Sequence, residues 1–476
     1  MKKQNIKKQI LMVFLVAALF LTIFAGCASK ASDVSTSGSE PTDTMTSGSE
    51  STVDQTNQSD QPSNTEEQPT STITFWSMLT QKERADQLQK LADTYMQEHP
   101  GTKIDITVMP WSGAMDKIVA SIMAGNAPDL MTTGTGYPQS LGATGGLLEL
   151  SDLVQEVGGK DAFLSTSLSV QGAYEDGLYS IPLYITPYIA YYRQSWLDKA
   201  GITKLPETWE EYYEMCKAVT NPAGNKYGFG IPLGDLHGWK TIWSFLQSNG
   251  VDLINVDQND KWYVDLNSED RAAMIETYNY LYKLVKDTAP EGTISYTQTN
   301  VREMVAGGTI MSRIDTPEIY YTVQQIDPDS EKDVKYFPIP GRKKTGSGQG
   351  WVGLSISKDG NVALAKDFVK YLFTGDTLVD FFLSYPYAMF PAKAELFHNK
   401  EYYEGLPDIL KDMVPDMALN ILATSTSLGM VNGPFPGAGE FEARCILGNG
   451  LVKMLSENYT AEQAVEYIID ELEKLM

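Results

Sequence analysis

The side chains able to do chemistry in this chain are aromatic rings and carboxylates, without the spacings that metal or nucleophilic catalysis needs. His99, His237 and His398 lie far apart, and none belongs to an HExxH or Cys/His pattern. A zinc centre is therefore not expected. No nucleophile elbow or P-loop is present, so no cofactor is predicted. Asp327 to Glu331 has the acidity of a calcium loop but lacks its glycine and distal glutamate, and reads as a solvated turn. What remains is eight tryptophans and 26 tyrosines among abundant carboxylates. Aromatic faces suit the apolar C–H faces of sugar rings, while Asp, Glu, Asn and Arg can fix hydroxyls. Trp76, Trp111 and Thr135 are candidates because of where they fall relative to predicted strands, with Glu83, Asp129 and Arg444 as polar candidates.

The elements that must position them begin with a short strand, Thr72 to Trp76. Leu88, Leu91, Ala92 and Tyr95 then mark one face of a helix, which Pro100-Gly101 ends. Ile104, Ile106 and Val108 alternate as a strand; Met115, Ile118, Val119 and Ile122 mark a second helix; Leu130-Met131 opens a third strand. This is a β-α-β-α-β unit with a parallel sheet. Such sheets bind ligands beyond the carboxyl ends of their strands, here Trp76 to Leu79, Met109 to Trp111 and Thr132 to Tyr137. Thr208 with Glu211 and Thr460 with Gln463 read as capping boxes that open helices.

The amino terminus carries a different signal. Lys2, Lys3, Lys7 and Lys8 precede an apolar run from Ile10 to Phe24, then Ala25, Gly26 and Cys27. The run is roughly 15 residues, short of the ~20 that span a bilayer, so residues 1–26 read as a cleaved secretory signal. The small residues before Cys27 resemble a bacterial lipobox, which implies an acylated Cys27 anchored to the outer face of a membrane. Residues 27–71 then hold no aromatic, Leu or Ile, and repeat Thr36-Ser37-Gly38-Ser39-Glu40 at Thr46-Ser47-Gly48-Ser49-Glu50. A segment of that composition is expected to be a disordered tether spanning on the order of 40 Å, suited to a Gram-positive, single-membrane cell.

The remaining chain is long enough for two domains. A net charge of −24 argues against nucleic acid and anionic lipid headgroups as partners. Besides Cys27, only Cys216 and Cys445 are present; Cys216, in the helical stretch from Tyr212 to Ala218, reads as a buried free thiol, and a disulfide is not deducible.

Several segments together carry a family resemblance. They are Ile73-Thr74-Phe75-Trp76, His99-Pro100-Gly101, Ala124 to Leu130, Gly177 to Pro182, Tyr191 to Gly201, Leu205 to Glu211, Gly307 to Ser312, Gly350 to Ser357 and Phe390 to Lys393. In order and spacing they resemble the family 1 extracellular solute-binding proteins over essentially everything after the tether. The resemblance implies an α/β, two-lobed periplasmic-binding-protein-like fold. Each lobe would be an open, mainly parallel sheet flanked by helices, with crossover hinges near Tyr184 to Ile189 and Trp351 to Ile356. It places residues 72–184 and 354–388 in the amino-terminal lobe, and 185–353 and 389–476 in the other. It also implies that Tyr184, Tyr188, Trp239, Asp315, Glu318 and Trp351 border the cleft. Small neighbours, Gly350 and Gly353, are expected to leave the Trp351 ring free to face it. Where the family's maltose binders stack a tryptophan, this chain has Thr316-Pro317. The implied function is a monomer that binds a mono- or oligosaccharide and presents it to ABC transporter permease subunits, without catalysis. Two alternatives stand beside it: a binding protein for a cationic or peptide ligand, which the negative charge favours, and a secreted glycoside hydrolase with paired carboxylates.

Overall fold

The computed structural model describes residues 71–168, 172–264, 266–346, 348–416, 425–427 and 430–476. The expected leader, Cys27 and the tether as far as residue 70 lie outside them. The expected β-α-β-α-β unit is present: β1 (Ser71–Ser77) lies between β2 (Thr102–Val108) and β3 (Leu130–Gly134), all parallel. The helices Lys82–Glu98 and Ala114–Met123 make the crossovers. Leu88, Leu91, Ala92 and Tyr95 are buried, as their spacing requires. They pack toward the helix Val362–Leu372, whose Phe368 ring lies 5.2 Å from Tyr95 and 6.5 Å from Phe75.

Beyond a hairpin of β4 (Ala173–Tyr174) and β5 (Gly177–Leu178) comes β6 (Ile181–Arg193), a 13-residue strand buried at every position. Further on lie β7 (Tyr227–Phe229), a second hairpin of β8 (Asn255–Val256) and β9 (Trp262–Tyr263), β10 (Ile310–Asp315), β11 (Val334–Phe337), β12 (Gly348–Ile356) and β13 (Phe390–Pro391). Among the described residues one sheet runs in the order β2-β1-β3-β12-β6-β10-β7, with β11 and β13 also on β6. β12 is antiparallel to both β3 and β6. Residues Ile181 to Tyr188 of β6 pair with β12, whereas Ile189 to Arg193 pair with β10 and β11. The change of partner follows Pro187, which has no N–H to give a ladder and so suits the place where one pairing ends.

The second half of the molecule packs Trp209, Tyr212, Phe245 and Tyr278 around β7 and β10. Thr208 with Glu211 and Thr460 with Gln463 form the expected capping boxes, each giving the first helical turn a partner for a free backbone N–H. Cys216 is fully buried in the helix Trp209–Val219; both it and Cys445 are free thiols.

Residues 389–476, expected together in the second lobe, divide between two cores: Leu396, Tyr402, Leu410 and Met413 lie in one with Phe75, Phe368, Ile310 and Tyr320, whereas Phe435, Leu447, Ile468 and Leu472 lie in the other. The Leu164 N–H donates to Ala392 O at 2.9 Å, and the Tyr402 ring sits 6.2 Å from Phe382. Helical periodicity shows which face of such a segment is buried, but not against which neighbour.

Candidate ligand-binding cleft

The two halves meet along two rims. On one, Gln81 Nε2 donates to Glu318 Oε1 at 3.1 Å, the Tyr385 hydroxyl donates to the same oxygen at 2.8 Å, and the Tyr321 hydroxyl donates to Glu83 Oε1 at 3.0 Å. On the other, Ser140 Oγ donates to Pro436 O at 2.6 Å and accepts from Gly439 N at 3.2 Å. Gly136, at φ +79°, approaches so closely that a Cβ on it would lie 2.4 Å from Gly439 N.

Trp76 and Trp111 pack on one apolar cluster at the carboxyl ends of β1, β2 and β3. The Trp111 ring lies on Gly134, where a Cβ would come within 2.8 Å of it, and meets Tyr137 edge-on at 6.1 Å. Lys117 Nζ sits 4.4 Å from the Trp76 ring centre, so one face of that ring already holds a cation. Thr135, in the loop after β3, is buried.

Tyr184 and Tyr188 of β6 lie among buried charges. Arg84 Nη1 donates to the Tyr184 hydroxyl at 3.1 Å, and its guanidinium stacks over Tyr385 at 4.7 Å. Lys240 Nζ stands 5.2 Å from the Tyr188 ring and 5.4 Å from Trp239, with Glu442 Oε1 at 4.0 Å. Burial works against charge on Lys240, but Tyr188 and Glu442 outweigh it and hold the ammonium above its usual range. Burial pushes the Glu442 carboxyl up despite the pull of Lys240 and His237. Asp315, with no exposed surface, takes Arg302 in a bidentate pair, both contacts 2.8 Å, and Arg313 Nε at 3.0 Å. Burial would raise its carboxyl, yet the two guanidinia hold it below the usual range. Glu318 pairs with Arg302 Nη1 at 2.8 Å; burial opposes its ionisation, and Arg302 and Arg84 keep it ionised.

Three expectations are corrected by this geometry. Asp129 precedes β3, at the strand end opposite Trp76 and Trp111, and its oxygens are taken by Thr74 N, Thr74 Oγ1 and Asn361 N at 2.6–2.8 Å. Arg444 pairs with Glu440 and Glu471 of its own half, because it sits two residues past Glu442 and a helix turns it to another face. Trp351 does not lie open beside small neighbours: it is 3% exposed, and its ring rests on Gly353, where a Cβ would be 2.5 Å away. It is in register with Ile185, while Val352 is in register with Tyr184, so it points to the other face of the sheet.

Arg84, Lys240, Arg302, Glu442, Tyr137 and Tyr385 were not singled out from sequence. For two of them a signal exists. Arg84 continues the buried stripe of Leu88, Leu91 and Tyr95, and Arg302 continues that of Val305 and Ala306. A charge set in an apolar stripe needs a partner from elsewhere in the fold.

Comparison with known proteins matches this architecture. The diacetylchitobiose binding protein DasA of Streptomyces coelicolor is 29% identical over 283 residues, 56% of this chain and 61% of that protein. The chain thus spans about three fifths of that relative's length. A solute binding protein of an ABC transporter from Thermotoga lettingae, solved with α-D-tagatose, superposes with a TM-score of 0.71 at 18% identity, over 85% of this chain and 99% of that one. A sugar transporter from Arthrobacter chlorophenolicus with bound laminaribiose also gives 0.71, at 16% identity, over 85% and 99%. The two-lobed fold is shared with both. Residues 81–376, more than half of the chain, match the model for bacterial extracellular solute-binding proteins, and the chain belongs to that family.

Proposed function

We propose that this protein binds a carbohydrate outside the cytoplasm and delivers it to an ABC importer, its cleft closing on the ligand. The observation that carries this reading is the meeting of the Tyr184, Tyr188 and Trp239 rings with the buried charges Arg84, Lys240, Arg302, Glu318 and Glu442. Rings and fixed hydrogen-bonding groups of both signs are what a polyhydroxylated ring needs. The sugar ligands of the relatives named above support it. We place the hinges at Tyr188 and Val352, and assign the segment Phe390 to Met413 to the first lobe. Binding without catalysis, as a monomer, is part of the same proposal. A thermal-shift screen against mono- and oligosaccharides tests it: a true ligand at a hundred times its dissociation constant adds about 2.7 kcal/mol of stability. A shift with polyamines or peptides and none with sugars would instead support the non-sugar reading.

Closure has its own test at Gly439. A Cβ there would lie 2.9 Å from both Gly136 O and Ser140 Oγ, across the rim. Gly439→Ala is therefore expected to weaken affinity by about tenfold, roughly 1.4 kcal/mol. Stability should hold or rise slightly, since alanine is the better helix former. Unchanged affinity by calorimetry would mean that this rim does not close on ligand.

The anchor belongs to the proposal too, with Cys27 acylated after cleavage behind Gly26. Cys27→Ser should move the protein from the membrane fraction to the medium, or leave it unprocessed. Normal processing with full membrane retention would refute the anchor.

A further inference from the structure

The floor beneath the two strand-end tryptophans has an unusual composition. Of the nine buried members of that cluster, four are methionine, Met78, Met109, Met115 and Met131, whereas 19 of all 476 residues are. The concentration falls at one place, the carboxyl ends of β1 and β2, within β3, and at the start of the helix Ala114–Met123. Trp76 and Trp111 both pack on it. Met78 is pinned at its backbone, where its N–H donates to Thr132 Oγ1 at 2.8 Å, and the same hydroxyl lies 3.4 Å from its sulfur. Met115 extends toward the other lobe, its Cε 3.1 Å from where a Cβ on Gly439 would be.

Methionine is unbranched, has three rotatable bonds and carries a polarisable thioether that contacts aromatic rings favourably. A floor of such side chains can repack among rotamers of similar energy. The rings above can then shift without opening a void. Branched aliphatics would instead fix the rings at one depth, and in a fixed pocket one methylene of mismatch discriminates by about 10–200-fold. Resting on the carbohydrate reading, we infer that Met78, Met109, Met115 and Met131 are specificity-determining residues, which broaden the cleft to accept sugar rings with different substituents.

Calorimetry with glucose, N-acetylglucosamine and a disaccharide of each tests this, because each ring of the second series carries an acetamido group in place of one hydroxyl. The wild type is expected to bind members of both series within about tenfold of one another. Met78→Leu/Met131→Leu conserves volume and should keep the tightest sugar while weakening the others by about a further tenfold. Met123→Leu, at a position 76% exposed, should reproduce the wild type. Should the double variant fail to fold, Met115→Leu alone carries the same comparison. Affinities that all change by one factor, or not at all, would overturn the inference and leave the carbohydrate reading intact. A wild type confined to one series would overturn it too. A wild type that binds no sugar would overturn both.

Discussion

Asp315→Ala is expected to destabilise the folded protein by about 3–5 kcal/mol, the cost of leaving buried charge uncompensated. Its carboxylate is fully buried, accepts both Arg302 contacts at 2.8 Å, lies 3.0 Å from Arg313 and also accepts from Thr316 N at 2.8 Å. Without it Arg302 keeps Glu318, whereas among the described residues Arg313 keeps the Gln298 carbonyl, at 3.1 Å, as its hydrogen-bond partner. Burial already lowers the Arg313 guanidinium to about 10 with Asp315 in place, a sign of how little solvent reaches it. The effect has a definite pH dependence. Because the folded carboxyl titrates below its unfolded value, its contribution is complete above the unfolded value of about 4 and is lost as pH falls through the folded one. Denaturant titrations of both proteins at neutral pH and in acid should therefore show a gap that narrows in acid. A variant within about 1 kcal/mol of wild type that loses only sugar affinity would give Asp315 the role of direct ligand contact instead.

The second large effect is at Trp351. Truncation to alanine should cost about 3–5 kcal/mol in unfolding free energy, since a buried indole leaves a cavity that a sheet cannot close. Its ring fills the space above Gly353, beside Ser180, in the core shared with Ile185 and Leu354. Affinity, measured where the variant is still folded, should fall by less than about tenfold. The opposite pattern, an unfolding midpoint near wild type with about thirtyfold weaker binding, would show that the ring meets ligand after all. Gly353→Ala offers an independent check, because its Cβ would collide with the same ring at 2.5 Å and with Ser180 Oγ at 2.5 Å.

These two residues show why the fold was more legible than the site. Both lie in segments that the family resemblance places beside the cleft. The resemblance did not show which way each side chain points. Trp351 and Val352 are neighbours in the chain, yet the period of two in a strand sends them to opposite faces, and register with Ile185 and Tyr184 decides which is which. Asp129 shows the same limit: it begins the right strand but at the wrong end, and ends up tied to Thr74 and Asn361.

Local patterns sufficed for the first two helices, the parallel strands between them, two capping boxes and the buried Cys216. Each depends on which face of a few consecutive residues is apolar, or on a hydrogen bond spanning three positions, and short-range order in the chain contains that information. The pairing of charges could not be read in this way. Arg84 meets Tyr184 100 positions away, Gln81 meets Glu318 237 positions away, and Tyr385 meets Glu318 67 positions away. A buried charge must be satisfied by whatever the tertiary fold brings to it. The pairing of the buried charges was therefore decided only when distant segments packed.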